Sequence, residues 1–260
     1  MRSFVSAGVL LLSACGGGGA VVVAPAAPPV ATKVDVSEAK NVVRARSVMV
    51  SVVGQPAKKV PVHLPVVEGP AAARMAPNLT LMALVGEDEA SLSDVTSEVD
   101  FTIVHQDARV LTLNVEVQTM GAYPDSHGNV VTLVWASGAP IHSEIFLPAK
   151  RAELARRLND RVQSAWQSKK RAYAKGPNDE SSCGPDVADS FMTEGAPVFS
   201  EGTLAQVYVV ADGIAFSYDY ALPHAVKACT PTVNLHLTWS EASPYLEPSA
   251  YASLTSPTSR

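Results

Sequence analysis

The sequence predicts an α+β fold. Before residue 148, several valine-rich stretches alternate apolar and polar residues, and this two-residue period is typical of half-buried β-strands. After residue 148, apolar residues recur at every fourth position, which is typical of an amphipathic helix. A chain of 260 residues can build one sizeable domain or two small ones that share an interface. We expect a single compact domain over residues 34–255, with halves at about 34–147 and 148–255.

The composition excludes some classes of function. The formal net charge is −5, so there is no overall electrostatic attraction to nucleic acid. After the N-terminus, no apolar run approaches the roughly 20 residues that span a bilayer. Any attachment to a membrane must therefore come from the N-terminus.

The N-terminus resembles the signal of a bacterial lipoprotein. Arg2 precedes an apolar run from Phe4 to Leu12, which ends in the tetrapeptide Leu12-Ser13-Ala14-Cys15. This tetrapeptide resembles the lipobox, in which the cysteine thiol is diacylated and the chain is cut before it. The resemblance implies a signal peptide over residues 1–14 and a lipid anchor on Cys15. The alternative is an ordinary secretory signal with an incidental cysteine.

The residues after Cys15 predict a tether and a location. Residues 15–33 are rich in Gly, Ala, Pro and Val and carry almost no charge, so we expect a disordered tether. Inner-membrane retention signals usually carry Asp directly after the lipidated cysteine, but Gly16 stands there. We therefore expect the protein to be anchored in the bacterial cell envelope. If the organism is Gram-negative, the outer membrane is favoured, with the protein facing the periplasm.

Strand patterns follow the tether. "NVVRARSVMVSVVG" is predicted to form one strand, "QPAKK" a turn, and "VPVHLPVV" an edge or irregular strand because of its prolines. A short helix is expected between Pro77 and Gly86. "VDFTIVH" and "RVLTLNVEVQTM" are predicted to pair through the turn "QDAR". "GAYPDSHGN" is dense in turn-forming residues, and "VVTLVWAS" and "HSEIFL" are expected to form another strand pair.

The second half begins with a helix predicted over residues 149–173. Its apolar stripe consists of Leu154, Leu158, Val162 and Trp166. Its remaining surface is strongly basic, which indicates either a solvated face or a docking face for anionic lipid or cell-wall polymer. Asp212-Gly213 predicts a hairpin, "SEASPYL" a short helix, and the C-terminal "SAYASLTSPTSR" a frayed end.

Two cysteines remain after the lipobox. An exported chain meets an oxidising compartment, so Cys183 and Cys229 are predicted to form a disulfide. A metal site is the competing interpretation. Neither cysteine has histidine or cysteine neighbours at ligand spacing, so we expect no metal and no cofactor.

The segment "VYVVADGIAFSYDYALPHAVKACTPTVNLHLTWSEASPYLEP" resembles a known family of extracellular domains. The family includes the C-terminal domain of the lysozyme-sensing anti-sigma factor RsiV and the N-terminal domain of PdaC-type polysaccharide deacetylases. Its pattern is a strand, a "DG" turn, a strand ending in Tyr, a Pro-containing loop, a further strand and "Ser-Glu…Pro-Tyr-Leu". "VPVHLPVVEG", the short helix, the long strands and "EIFLPAKRAELARRL" follow the order of the family's preceding half, so the likeness covers about residues 41–250.

The resemblance implies an antiparallel sheet packed by helices and a binding function without catalytic residues. The binding residues that it suggests are Tyr218, Tyr220, Pro223 and His224, with Tyr123 in the "GAYP" turn. His224 stands where the family has Tyr. The chain has neither the sigma-binding segment of RsiV nor a deacetylase domain, so those activities do not carry over.

Three functions follow from these patterns. The first is a lipid-anchored envelope protein whose domain binds a protein, with lysozyme-like proteins among the candidates, or a cell-wall component. The second is a hydrolase built around His127 or His224, because His127 lies near Asp125 in "PDSHG". The third is a structural lipoprotein that contacts peptidoglycan or lipid through the basic helix 149–173.

Overall fold

The computed structural model describes residues 41–52, 54–87, 92–93, 95–120, 124–173, 199–218, 231 and 233–255. The predicted signal peptide 1–14 and tether 15–33 lie outside these ranges. The described residues form a single α+β domain, as the sequence predicts. None of the helices in these ranges has both the length and the apolar character needed to cross a membrane.

The larger sheet has five strands in sequence order. They are β1 Val42–Val52, β2 Gln55–Glu68, β3 Thr96–Gln106, β4 Val110–Met120 and β5 Pro124–Val134. Neighbouring strands are antiparallel except β2 and β3, which run parallel and pair at Val62 and Val99. The sheet is therefore mixed rather than purely antiparallel. The chain returns between β2 and β3 through short helices, and such a crossover is what joins parallel strands.

Strand β2 lies inside the sheet, so the prediction of an edge strand is wrong and β1 is the edge. The irregularity is real, because β2 pairs with β1 along most of its length but with β3 at only one position. Pro61 and Pro65 lie opposite Met49 and Ala45 of β1. The weak pairing with β3 accommodates these prolines, which lack an N–H group. "QPAKK" belongs to β2 rather than to a turn.

The helix predicted between Pro77 and Gly86 is shorter than expected: only its second part is α-helical, and another short helix precedes it. Helix α1 spans Ala72–Met75 and continues as a 3-10 turn, Ala76–Asn78, and helix α2 spans Leu81–Val85. The Thr80 side chain caps α2 by accepting a hydrogen bond from the Ala83 amide. Gly86 ends α2 as predicted, with φ of 79°, a conformation that favours glycine.

Strand β5 begins inside the stretch that was expected to be a turn. Pro124 lies opposite Met120, and the ladder continues to Val134 opposite Val110. "HSEIFL" is not a strand: it contains a 3-10 turn, Ser143–Ile145. Its backbone forms a hydrogen bond with the C-terminal segment instead, because the Leu147 amide donates to the Tyr245 carbonyl oxygen at 2.8 Å.

Helix α3 spans Arg151–Tyr173 after a 3-10 turn at Pro148–Lys150. The predicted apolar stripe is confirmed, because each of its four residues is at most 3% exposed. They are Leu154, Leu158, Val162 and Trp166.

A smaller sheet and two further helices follow α3 in the described residues. Its strands are β6 Val207–Val210, β7 Gly213–Phe216 and β8 Leu237–Thr238, followed by helices α4 Trp239–Ala242 and α5 Pro248–Thr255. The Asp212-Gly213 hairpin is confirmed. The C-terminal end was predicted to be frayed, and this prediction is wrong for the residues up to Thr255. Leu254 is buried, and the rings of Tyr251 and Trp239 pack with centroids 6.5 Å apart.

The residues that the structure describes form two hydrophobic clusters. One lies between the larger sheet and α1–α2 and includes Met75, Leu84 and Leu113. The other joins α3, the smaller sheet and the C-terminal helices and includes Leu158 and Phe216. Strand β6 contacts β4 and β5, and these contacts hold the two parts of the domain together.

Candidate functional site

Two basic residues of α3 reach the C-terminal helices. The Arg157 Nη2 donates to Glu241 Oε1 at 2.9 Å, and the Arg161 Nη2 lies 3.3 Å from the same oxygen. Arg161 also donates through Nη1 to the carbonyl oxygens of His236 at 2.8 Å and Asn234 at 3.3 Å. These two arginines therefore fasten α3 to the segment that contains β8 and α4.

Glu241 is held from both sides. It forms a capping box with Thr238 at the start of α4, in which the Thr238 amide donates to Glu241 Oε2 at 3.1 Å. This backbone hydrogen bond lowers the pKa of Glu241 below its ordinary value, and the positive charges of Arg161 and Arg157 lower it further. Glu241 is therefore an anion near neutral pH, and its position is fixed.

Tyr245 is the aromatic member of this arrangement. The Arg157 guanidinium lies 5.9 Å from the centre of the Tyr245 ring, a cation–π distance. The Tyr245 hydroxyl lies 3.5 Å from Glu153 Oε1, and Glu153 accepts a hydrogen bond from Lys150 at 2.7 Å. The ring is thus oriented by charged groups on its neighbours.

Arg157, Arg161 and Tyr245 are among the residues that line an open groove of about 430 Å³, which we call the α3 groove. Its lining residues are Glu153, Arg156, Arg157, Asp160, Arg161, Ser164 and Tyr245. Arg156 and Asp160 are exposed and form its outer rim, whereas Arg157 and Arg161 are partly buried at its inner side. The α3 groove therefore offers charges of both signs to a partner, whereas Tyr245 is only 7% exposed and belongs to the hydrophobic cluster around α3.

The basic character of α3 has two components. Arg157 and Arg161 are engaged within the domain, so they stabilise the packing of α3 rather than forming a simple solvated face. Arg156, by contrast, is exposed at the rim of the α3 groove. The sequence shows the basic residues but not this division, because Glu241 lies 80 or more residues away along the chain.

The residues suggested by the resemblance fall mostly outside the described ranges. Tyr218 follows β7 and packs, partly buried, against the cluster around α3. The other suggested residues, the lipidation site and the cysteine pair are not described: Tyr123, Tyr220, Pro223, His224, Cys15, Cys183 and Cys229. Of two other residues from the resembling segment, Tyr245 lines the α3 groove and Glu241 binds its residues Arg157 and Arg161.

His127 has a carboxylate partner, but it is not Asp125. Its Nε2 lies 2.6 Å from Glu87 Oε1, across from the end of α2, while Asp125 accepts from the Ser126 amide at 2.9 Å. The His127 side chain is 53% exposed. His127 and Glu87 therefore form a contact that is open to solvent. His224, the other histidine of the hydrolase hypothesis, lies outside the described residues.

A serine, a histidine and a glutamate lie in series on the outer face of the larger sheet. Ser47 Oγ lies 2.7 Å from His63 Nδ1, and His63 Nε2 lies 3.5 Å from Glu98 Oε1. This order of groups can relay a proton. Ser47 is exposed on an edge strand, so the relay faces bulk water and is most simply a surface hydrogen-bond chain. Local sequence gives no signal for it, because it depends on the pairing of β1, β2 and β3.

Two further described histidines each lie near one carboxylate. His236 Nε2 lies 3.0 Å from Asp212, and His105 Nε2 lies 3.7 Å from Asp107. Within the ranges that the structure describes, no three His, Cys, Asp or Glu side chains gather closely enough to hold a metal ion.

Comparison with known proteins relates the fold to solved structures. No protein-family profile and no curated protein matches the chain. The crystal structure of a DUF3298 family member from Bacteroides fragilis is similar, with 13% identity and a TM-score of 0.50 over 84% of this chain and 98% of that chain. A DUF3298 family protein from Pseudomonas aeruginosa is similar with 10% identity and a TM-score of 0.46, over 82% and 97% of the two chains. The likeness to the Bacteroides protein shows a shared fold.

Proposed function

We propose that this chain is a lipid-anchored protein of the bacterial envelope whose domain binds a protein partner without catalysing a reaction. The "LSAC" tetrapeptide and the uncharged stretch after it support the anchor. The shared fold with a DUF3298 protein supports the RsiV-like assignment of the domain, since the resemblance of the sequence points to the same kind of module.

The observation that carries the binding proposal is the α3 groove. Arginine is among the residues that most often dominate binding energy at protein interfaces. Here Arg157 is partly exposed and already oriented, because Glu241 and the Tyr245 ring hold it, whereas Tyr245 itself is only 7% exposed. When a partner docks on Arg157, this side chain loses little conformational entropy, which favours affinity.

A lysozyme-like protein is the partner that we propose first. The RsiV-like pattern runs through Tyr245, which lines the groove, and through Glu241, which holds the groove residues Arg157 and Arg161. Lysozymes are commonly basic, and the net charge of this chain is −5, so long-range attraction would speed their association. Glu153 and Asp160 supply the acidic contacts on the groove itself.

The histidine contacts support a role without catalysis. His127 and the Ser47–His63–Glu98 relay are open to water, whereas efficient acid–base groups usually lie in a site that excludes it. The hydrolase alternative needs His127 and His224 to converge on one carboxylate. An activity assay distinguishes the hydrolase from the binding domain. Hydrolysis of ester and glycan substrates is measured with the full chain and with a variant in which both histidines are replaced by alanine.

The binding experiment is calorimetric titration of a purified lysozyme into the full chain at low and at physiological salt. Asp160→Asn removes one negative charge from the rim, so we expect several-fold weaker binding. Gln163→Lys is the matched control: it makes the same change in net charge at an exposed position of α3 outside the groove lining. We expect it to have a smaller effect.

Two results would overturn the assignment. One is the absence of heat and of complex formation with lysozyme at millimolar concentration. The other is retention of the full chain on purified sacculi without any binding to lysozyme, which would identify the cell-wall polymer as the partner.

The lipid anchor is tested separately. Cys15→Ser removes the acylated thiol, so the full chain should move from the membrane fraction to the soluble fraction or retain its signal peptide. Ser13→Ala changes a neighbouring residue without removing the thiol and serves as the control. Unchanged membrane partition of Cys15→Ser contradicts the anchor.

A further inference from the structure

A second groove lies on the opposite part of the domain, between β2 and the helices α1 and α2. Its volume is about 380 Å³, and we call it the α1–α2 groove. Its lining residues are Arg46, Leu64, Pro65, Val66, Val67, Ala72, Ala76, Leu79, Thr80, Leu81 and Met82. It shares no lining residue with the α3 groove.

The lining of this groove is mostly apolar, with a single charged residue. Nine of the eleven lining residues are apolar, and one of them, Met82, is 52% exposed although it is large and hydrophobic. The Thr80 hydroxyl is engaged in capping α2. Arg46 is the one charged residue of the lining, and no carboxylate lines the groove with it.

Arg46 is exposed, but it lies on the face of β1 that carries the core residues. Side chains alternate along a strand, so Arg46 shares a face with Val48 and the buried Val50, and it lies opposite the buried Leu64 of β2. Arg44, two residues earlier, is paired with Glu68 at 2.8 Å. Arg46 has no hydrogen bond or ion pair to any residue in the part of the chain that the structure describes.

An apolar groove with one unpaired cation suits a particular ligand chemistry. An aliphatic chain would cover the apolar lining, and an anionic head would satisfy the guanidinium, which binds carboxylates well. The volume lies near the lower end of the range for ligand pockets, which fits one chain rather than the two chains of a phospholipid. We propose that the α1–α2 groove binds a free fatty acid, with its carboxylate at Arg46 and its alkyl chain against α1 and α2.

The first test measures the dependence of affinity on chain length and head group. The protein is the full chain carrying Cys15→Ser, so that no acyl group of its own competes. Octanoate, decanoate and dodecanoate are titrated below their micelle concentrations, with decanol as the neutral control. Each added methylene that enters the groove should tighten binding about fourfold, and decanol should bind about tenfold more weakly than decanoate.

Two variants locate the site. Ala76 is exposed and lines the groove, so Ala76→Trp should fill it and abolish decanoate binding. Ala73→Trp is the matched control, because Ala73 is exposed on α1 but does not line the groove. Circular dichroism and thermal unfolding of both variants establish that they remain folded.

Arg46→Gln tests the head group. It should remove the preference for decanoate over decanol while leaving decanol binding unchanged. Arg74→Gln, at an exposed arginine of α1 that does not line the groove, keeps the preference and controls for the loss of one positive charge.

Three outcomes would overturn the proposal. They are an affinity that does not change with chain length, undiminished binding in folded Ala76→Trp, and displacement of decanoate by phosphatidylglycerol vesicles at equal acyl concentration. The last outcome would identify a membrane lipid as the occupant. The α3 groove is separate, so Ala76→Trp should leave lysozyme binding unchanged, and failure of either proposal is distinguishable from failure of the other.

Discussion

Thr112 and Thr132 are cross-strand neighbours on β4 and β5 whose hydroxyl oxygens lie 2.8 Å apart in the interior of the domain. Both residues are fully buried. Thr112 Oγ1 donates to the carbonyl of Val209 at 2.8 Å, and Thr132 Oγ1 accepts from the amide of Val209 at 2.8 Å. The two hydroxyls thus satisfy both backbone groups of one residue of β6, and they join the larger sheet to the smaller one.

The first prediction concerns Thr132→Val. Valine keeps the shape and the strand preference of threonine, but it leaves the buried Val209 amide without an acceptor. An unsatisfied buried donor costs about 1–3 kcal/mol, so the free energy of unfolding should fall by that amount in urea titration. Thr102→Val, at an exposed position of β3, should change it by less than about 0.5 kcal/mol. Equal effects of the two substitutions would contradict the role of the threonine pair.

The second prediction concerns Asp107 in the turn between β3 and β4. Burial alone would raise the pKa of its carboxyl, but hydrogen bonds from His105, from the Arg109 side chain and from the amides of Arg109 and Val110 lower it well below its ordinary value. A carboxyl with a lowered folded-state pKa stabilises the fold above its unfolded pKa of about 3.9. That contribution is lost as the pH falls through the lower folded-state value.

Asp107→Asn should therefore lose about 1–2 kcal/mol of stability near neutral pH, and the difference from the unsubstituted chain should shrink as the pH falls below about 4. Urea titrations at a series of pH values measure this. Asp160→Asn, at an exposed position of α3, is the control and should show little difference at any pH. A difference for Asp107→Asn that is constant down to the most acidic pH would contradict the assignment.

The elements that the sequence predicts well are those with a local signal. The period of two along β4 and the period of four along α3 each reflect one buried face. The Asp212-Gly213 turn sets its hairpin by backbone geometry alone. Thr112 shows the limit of this reasoning: its alternation places it on the polar face of β4, yet it is buried because β6 covers that end of the sheet.

The sites depend on contacts between distant parts of the chain. The basic residues of α3 are visible in the sequence, but Glu241 and Tyr245, which orient Arg157, become neighbours only when the C-terminal helices pack. The parallel pairing of β2 with β3, which brings His63 near Glu98, likewise has no local signal. Sequence patterns therefore indicate which residues are charged or apolar, and packing decides which of them meet.

The third prediction concerns the cysteine pair, which lies outside the described residues. A disulfide between Cys183 and Cys229 would close a loop of roughly 45 residues and stabilise the chain by about 3–4 kcal/mol. Alkylation of unfolded, unreduced protein should leave both cysteines unlabelled, and reduction should expose both. Mass spectrometry of the full chain carrying Cys15→Ser counts the labels. Two labels without reductant, in protein isolated from an oxidising compartment, would refute the disulfide.

The fourth prediction separates the two roles of Glu241. Glu241→Gln keeps a side chain that can complete the capping box with Thr238, but it removes the charge that faces Arg157 and Arg161. Because Glu241 is partly exposed, the free energy of unfolding should fall by only about 0.2–1 kcal/mol. Glu241→Ala removes the cap as well and should cost about 1 kcal/mol more.

A double-mutant cycle between Glu241→Gln and Arg161→Gln isolates the ion pair. We expect the double variant to be less destabilised than the sum of the two single changes, because each single change already breaks the same contact. Glu201→Gln, at an exposed position before β6, combined with Arg161→Gln should give additive effects. Additivity in the Glu241 pair as well would mean that Arg161 holds α3 to the C-terminal segment through the carbonyls of Asn234 and His236 alone.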